Sequence, residues 1–254
     1  MNLHFRAEGK GKTIVLIHGL FGSADNLGLL ARELKQHYQV ISIDLRNHGL
    51  SPHSDQFSYQ DLAQDIIDTL DHLAIDQFDV VGHSMGGKVA MALSALVPHR
   101  ISHLIVIDMA PVIYHAHRHQ NVFHGLREVN CHLITKRSEA EHYLSRYVED
   151  AGVRQFLLKS LAKTDTGYQW RFNVEGLIAN YATIMGWHPA LQPFIGKTLF
   201  IKGQLSDYIE PQYRGEIMAQ FPNAKAHVVA NTGHWLHAEK PATVNRIIDQ
   251  FLTQ

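Results

Sequence analysis

Gly82-His83-Ser84-Met85-Gly86 sets a serine between two glycines. In a G-x-S-x-G turn the chain passes sharply from strand to helix. The glycines remove Cβ atoms that would collide, and the serine hydroxyl stands exposed at a helix N-terminus. Ser84 is therefore the candidate nucleophile. A serine hydroxyl attacks poorly unless a base lies within hydrogen-bond reach. Asn231-Thr232-Gly233-His234-Trp235, near the end of the chain, offers His234, with Gly233 letting its loop bend; His237, three residues on and toward a helix, ranks below it. The acid that would orient the imidazole has two candidates. Asp108 closes an apolar run and opens Asp108-Met109-Ala110-Pro111, while Asp207 ends Gly203-Gln204-Leu205-Ser206-Asp207. The acid of such a loop usually stands three residues after the glycine, which here is Ser206, so Asp207 comes one residue late. Asp108 is favoured, its alternative role being to brace the turn that follows it. His18-Gly19-Leu20-Phe21-Gly22 completes the set. After a strand, such a loop carries a backbone N–H toward the serine, to be paired with the N–H of the residue after the nucleophile. Leu20 and Met85 are the expected oxyanion donors, with Phe21 the neighbour that could replace Leu20.

The elements that must position these residues are legible as apolar runs between turn signals. Thr13–Ile17, Val40–Asp44, Phe78–Gly82, His103–Asp108 and Thr198–Lys202 read as strands buried on both faces, and Ala226–Val229 as a shorter sixth. Helical periodicity fills the gaps over Leu27–Lys35, Tyr59–Leu73, Met85–Leu96, Tyr213–Phe221 and Pro241–Leu252. This alternation predicts an α/β fold, a mostly parallel twisted sheet with helices on both faces. From Pro111 to about Pro193 the alternation stops, and only helical patterns are evident, near Asn121–Val129, Ala140–Tyr147, Val153–Ala162 and Val174–Met185. The expectation is one domain over residues 1–254 with a helical lid inserted at about 111–193, above the sheet edge where open α/β sheets bind ligands.

Composition excludes several function classes. With 23 Lys and Arg against 24 Asp and Glu, the formal charge of −1 leaves no basic field for a nucleic-acid backbone. A single cysteine, Cys131, permits no internal disulfide and fits a reducing compartment, so a cytoplasmic location is expected. No apolar run approaches the length of a membrane span, and the first residues lack the apolar core of a signal peptide. Nothing in the composition speaks to oligomeric state. His115, His117 and His119 alternate in a way zinc could use. No carboxylate accompanies them and serine chemistry needs no metal, so no metal and no cofactor is expected. Phe21, Phe123, Trp187, Tyr208 and Trp235 are candidate substrate contacts, and Trp170, Phe172 and Tyr181 could join them in lining an apolar pocket, although aromatics in short helices more often belong to the core.

Together, His18-Gly19-Leu20-Phe21-Gly22-Ser23, Asp44-Leu45-Arg46-Asn47-His48-Gly49-Leu50-Ser51, Gly82-His83-Ser84-Met85-Gly86-Gly87-Lys88, Asp108-Met109-Ala110-Pro111 and Gly233-His234-Trp235 resemble the α/β-hydrolase superfamily, in particular its small bacterial esterases. The resemblance runs from about Ile14 to Leu252. It implies a serine hydrolase with a helical lid that cleaves carboxylic esters or thioesters, such as acyl-CoA derivatives, through an acyl-enzyme. It also supports Asp108, because Asp-x-Ala-Pro marks that group; the departure is Asp207, an acid in a loop where these esterases usually have none. Arg46 and His48 are expected to brace loops rather than to bind a substrate acid group. The competing readings are another reaction on the same scaffold, such as C–C hydrolysis or perhydrolysis, and a non-catalytic ligand-binding protein.

Overall fold

The computed structural model describes residues 1–115 and 117–254. Its main sheet has seven strands in the order β1-β3-β2-β4-β5-β8-β9. These are β1 (Phe5–Glu8), β2 (Thr13–Ile17), β3 (Gln39–Ile43), β4 (Phe78–His83), β5 (Ile101–Ile107), β8 (Lys197–Gly203) and β9 (Ala224–Val229). All neighbours are parallel except β1, which runs antiparallel to β3 at the edge. The central runs TIVLI of β2 and FDVVGH of β4 are buried at every position, the pattern of strands covered on both faces. Strand β1 escapes periodicity because it is short and half-exposed, alternating polar and apolar residues over only four positions.

Helices α1 (Gly28–Leu34) and α11 (Pro241–Leu252) pack on one face around Leu30, Leu34, Val244 and Ile248. On the other face lie α2 (Tyr59–His72) and α3 (Met85–Leu96), whose Leu62, Ile66, Val89 and Leu93 continue into a larger apolar cluster. Helix α2 begins where the Ser58 hydroxyl accepts the Asp61 N–H at 3.0 Å, a side-chain cap on an otherwise unpaired amide. The short α9 (Arg214–Gln220) precedes β9, and α10 (Leu236–Glu239) follows it.

Between β5 and β8 comes the segment in which only helices were expected. It holds α4 (Gln120–Asn130), α5 (Arg137–Leu144), α6 (Ala151–Leu158), α7 (Val174–Ala179) and α8 (Tyr181–Met185), and also a small antiparallel hairpin of β6 (Leu161–Lys163) and β7 (Tyr168–Trp170). The hairpin corrects the helix-only expectation. Its strands are three residues each, too short to show period-2 alternation, and its turn residue Gly167 adopts φ +156°. The segment's two ends meet below the helices, where the Tyr114 N–H donates to Met185 O at 2.9 Å. The buried Lys88 ammonium, on α3, donates to the same carbonyl at 3.1 Å and to Gly186 O at 2.7 Å, and the Tyr59 hydroxyl donates to Ile184 O at 2.6 Å. Among the described residues no helix is long and apolar enough to cross a membrane.

Candidate active site

Ser84 lies at the tip of β4, just before α3, with φ 55° and ψ −124°. That backbone is strained for any residue with a Cβ, and the glycines around it permit it. A Cβ on Gly82 would lie 2.1 Å from Gly86 O, and one on Gly86 would lie 2.3 Å from Ile17 O. The Ser84 N–H is held by Ile107 O of β5 at 3.0 Å, so the neighbouring strand fixes the turn.

His234 follows β9 and reaches back over the sheet edge, placing Nε2 2.9 Å from Ser84 Oγ. Its Nδ1 is 2.7 Å from Asp108 Oδ2. Asp108 comes directly after β5, wholly buried, at φ 54°. The carboxylate is satisfied from several sides: the Gly203 N–H donates to Oδ1 at 3.0 Å, and the Ser206 hydroxyl donates to Oδ2 beside the imidazole. Asp207 points elsewhere, ion-paired to Arg118 at 2.6 Å. The Arg118 guanidinium beside it holds its carboxyl below the usual aspartate range. Ser206, at the position where a loop acid would ordinarily stand, thus contributes a donor to the aspartate of the adjacent strand.

Two buried histidines shape the loop after β2. His18 donates from Nδ1 to Gly19 O at 2.8 Å and accepts the Leu45 N–H on Nε2 at 3.1 Å. His48 donates from Nδ1 to Arg46 O at 3.0 Å and accepts the Phe21 N–H on Nε2 at 3.2 Å. Burial pushes His48 down to about 3 and lowers His18 too, so both rings stay neutral and keep one donor and one acceptor nitrogen. The Phe21 amide is therefore taken, whereas the Leu20 and Met85 amides have no protein acceptor among the described residues. Arg46 forms a buried two-pronged pair with Asp65 at 2.6 and 3.0 Å, which makes it a brace of this loop rather than a free cation.

The cavity over Ser84 measures about 60 Å³ and is walled by Leu20, Phe21, Val122, Phe156, Leu157 and Trp235, with His83, His119 and His234 at its polar side. Phe21 and Trp235, two of the candidate substrate contacts, thus line this cavity. Tyr208 acts on the imidazole instead, stacking on His234 at 4.0 Å between centroids and 20° between planes. Phe123 stands behind Phe21, edge-on at 5.4 Å. Trp187 is not brought to this cavity. It packs on Tyr59 at 5.8 Å, and its indole N–H donates to Gln220 Oε1 at 2.9 Å, beside a separate cavity of about 470 Å³. Residues 153–157 were not singled out in the sequence as cavity-forming, because a helical apolar pattern does not say which cavity its face will close. His83 was also missed: its Nε2–H donates to His234 O at 2.9 Å and so steadies the backbone that carries the imidazole. His115 is exposed and His117 stacks on Tyr181 at 6.3 Å. Among the described residues no group of three or more His, Cys, Asp or Glu side chains is arranged to hold a metal ion.

A hydroxyl, an imidazole and a buried carboxylate in line, with two nearby amides that no protein group takes among the described residues, can carry out acyl transfer. Residues 14–247 match the sequence profile of the alpha/beta hydrolase family. The chain belongs to that family. It is 45% identical to Esterase YbfF of Escherichia coli (strain K12), covering 99% of each chain. It is 37% identical to the sn-1-specific diacylglycerol lipase ABHD11 of Mus musculus, covering 94% of this chain and 80% of that one. Among solved structures, a marine microorganism esterase superposes with a TM-score of 0.95 at 36% identity, covering 98% of this chain and 99% of that one.

Proposed function

We propose that the protein is a serine hydrolase of small carboxylic esters, with Ser84 as nucleophile, His234 as general base and acid, and Asp108 as the acid that orients the imidazole. The observation that carries this reading is the unbroken line from Ser84 Oγ through His234, 2.9 Å on one side and 2.7 Å on the other, to a buried carboxylate. His234 takes the serine proton as Oγ attacks the carbonyl carbon. The N–H groups of Leu20 and Met85 stabilise the oxyanion, and His234 then protonates the departing alcohol or thiol. Water, activated by the same imidazole, releases the acid and regenerates Ser84. Asp108 keeps Nε2 facing the serine and stabilises the imidazolium. No cofactor enters the cycle. The names of the relatives above, an esterase and a diacylglycerol lipase, support ester substrates. Thioesters such as acyl-CoA fit the same chemistry.

The segment between β5 and β8 serves as the lid, since its Val122, Val153, Phe156 and Leu157 close the cavity from above. The cavity of about 60 Å³, a few times the roughly 10–15 Å³ that holds one water, suits a short acyl group better than a long one. Activity on p-nitrophenyl esters is therefore expected to peak between acetate and butyrate, with kcat/KM lower by at least about tenfold for octanoate. Ser84→Ala should abolish turnover while the circular dichroism spectrum is retained, and a fluorophosphonate probe should label the parent protein at Ser84. Undiminished turnover in Ser84→Ala removes Ser84 from the mechanism. Failure of the folded parent to label favours a binding protein over an enzyme. A panel of acyl esters and acyl-CoA thioesters separates alcohol from thiol leaving groups.

A further inference from the structure

His119 enters the Ser84 cavity from the lid side, its ring edge-on to Phe21 at 6.0 Å and to Tyr181 at 5.7 Å. Its Nδ1 lies 2.8 Å from the Tyr181 hydroxyl. Either partner can donate in that bond. The backbone of His119 and Arg118 counters the rise that burial imposes on the Tyr181 phenol. With the phenol donating its O–H, Nδ1 of His119 is the acceptor. Burial, followed by the neighbouring His234 and Arg118, pushes His119 down to about 4, so at neutral pH the ring carries one proton. In the tautomer whose Nδ1 accepts from Tyr181, that proton sits on Nε2. No protein group among the described residues accepts it, although the rest of the cavity wall is largely apolar. In such a wall a hydrogen-bond donor favours a ligand that brings an acceptor over one that does not.

Resting on the reading of Ser84 as nucleophile, we propose that His119 is a specificity-determining residue whose Nε2–H donates a hydrogen bond to an oxygen of the substrate group lodged beside Ser84. The preferred substrates are then short esters that carry an ether, hydroxyl or carbonyl oxygen near the scissile ester, in either the acyl or the alcohol part. Tyr181 is the positioning residue that sets the tautomer.

Two pairs of near-isosteric esters test this: p-nitrophenyl methoxyacetate against p-nitrophenyl butyrate, and 2-methoxyethyl acetate against butyl acetate. The readout is the ratio of kcat/KM within a pair, compared between the parent and each variant so that intrinsic reactivity cancels. His119→Phe keeps the aromatic packing and removes the donor, and should lower the ratio by about 3- to 10-fold in one pair. The pair that responds tells whether the acyl or the alcohol part meets His119. His119→Gln, which can present an amide N–H at a similar place, should retain most of the preference. Tyr181→Phe should shift the ratio in the same direction as His119→Phe. If His119→Phe does not fold, His119→Leu replaces it. Unchanged ratios in both pairs, in a variant that still labels with fluorophosphonate, overturn the proposal and leave the nucleophile assignment standing. Activity surviving in Ser84→Ala overturns both.

Discussion

Asp108 has left-handed backbone geometry and no solvent contact, and accepts from His234, Gly203 and Ser206. Replacing it by Asn keeps the shape but offers His234 an amide in place of an anion, which destroys the preference for the reactive tautomer. Asp108→Asn is expected to lower kcat by about 10,000-fold. Asp207→Asn, which removes only an exposed pair with Arg118, should change kcat by less than about threefold. Steady-state kinetics on p-nitrophenyl butyrate would decide, and the reverse ranking would overturn the assignment of the acid. At this scale the sequence was most informative where backbone geometry leaves a mark, as in the glycines around Ser84 or beside His234. The choice between the two aspartates needed the register that puts His83 level with Ile107, and hence Asp108 near Ser84. For Trp187, nothing in the sequence tells which cavity an aromatic side chain will face.

Lys88, one turn into α3, is 1% exposed and sits 4.8 Å from the Tyr114 ring, with only carbonyls to accept its protons. Burial without a carboxylate partner pushes it down to about 7 from the ordinary 10.5. Tyr59 and Tyr114, the other titratable groups against it, are pushed upward and stay neutral in this range. Between about pH 7 and 10.5 the unfolded chain holds a proton here that the native state has released, so the lysine's contribution to stability rises with pH across that window. Below it, both states are protonated and the burial penalty is felt in full. The urea midpoint measured at pH 7 and at pH 9.5 should therefore rise more in the parent than in Lys88→Met; an identical rise in both would show that the ammonium is not desolvated as described. The long helices and central strands were legible because they span enough residues to show a period. The β6–β7 hairpin and the edge strand β1 were not, since three or four residues carry too little pattern, and pairing partners decide their conformation.

Over the whole molecule, the 19 histidines are a compositional oddity that acquires a partial physical account. His18, His48, His83, His119 and His237 are buried or line the cavity, and all are lowered mainly by desolvation, His48 and His237 to about 3 and His119 to about 4. Several serve as neutral hydrogen-bonding groups, a use that composition alone could not distinguish from surface charge. Their folded values lie below the ordinary 6.5, so the stability they contribute is complete above that pH. It is lost as pH falls toward 4, where the unfolded chain takes up protons the native state refuses. Each such group steepens the loss by up to about 1.4 kcal/mol per pH unit. Urea unfolding at pH 7 and pH 5 should show a drop of several kcal/mol, and His237→Phe should recover part of it; equal stability at the two pH values would contradict the picture. The α/β fold class, a mostly parallel sheet between helices, was readable from the order of apolar runs, whereas the β6–β7 hairpin and the fastening of the segment between β5 and β8 were not. Its ends touch through the Tyr114–Met185 hydrogen bond, so the chain between those two residues starts and finishes at nearly one point. Exchanged between relatives at those two residues, such a stretch would put a new roof over the cavity in place of His119, Val122, Val153, Phe156 and Leu157, while Leu20, Phe21, Trp235 and the groups around Ser84 stay the recipient's own.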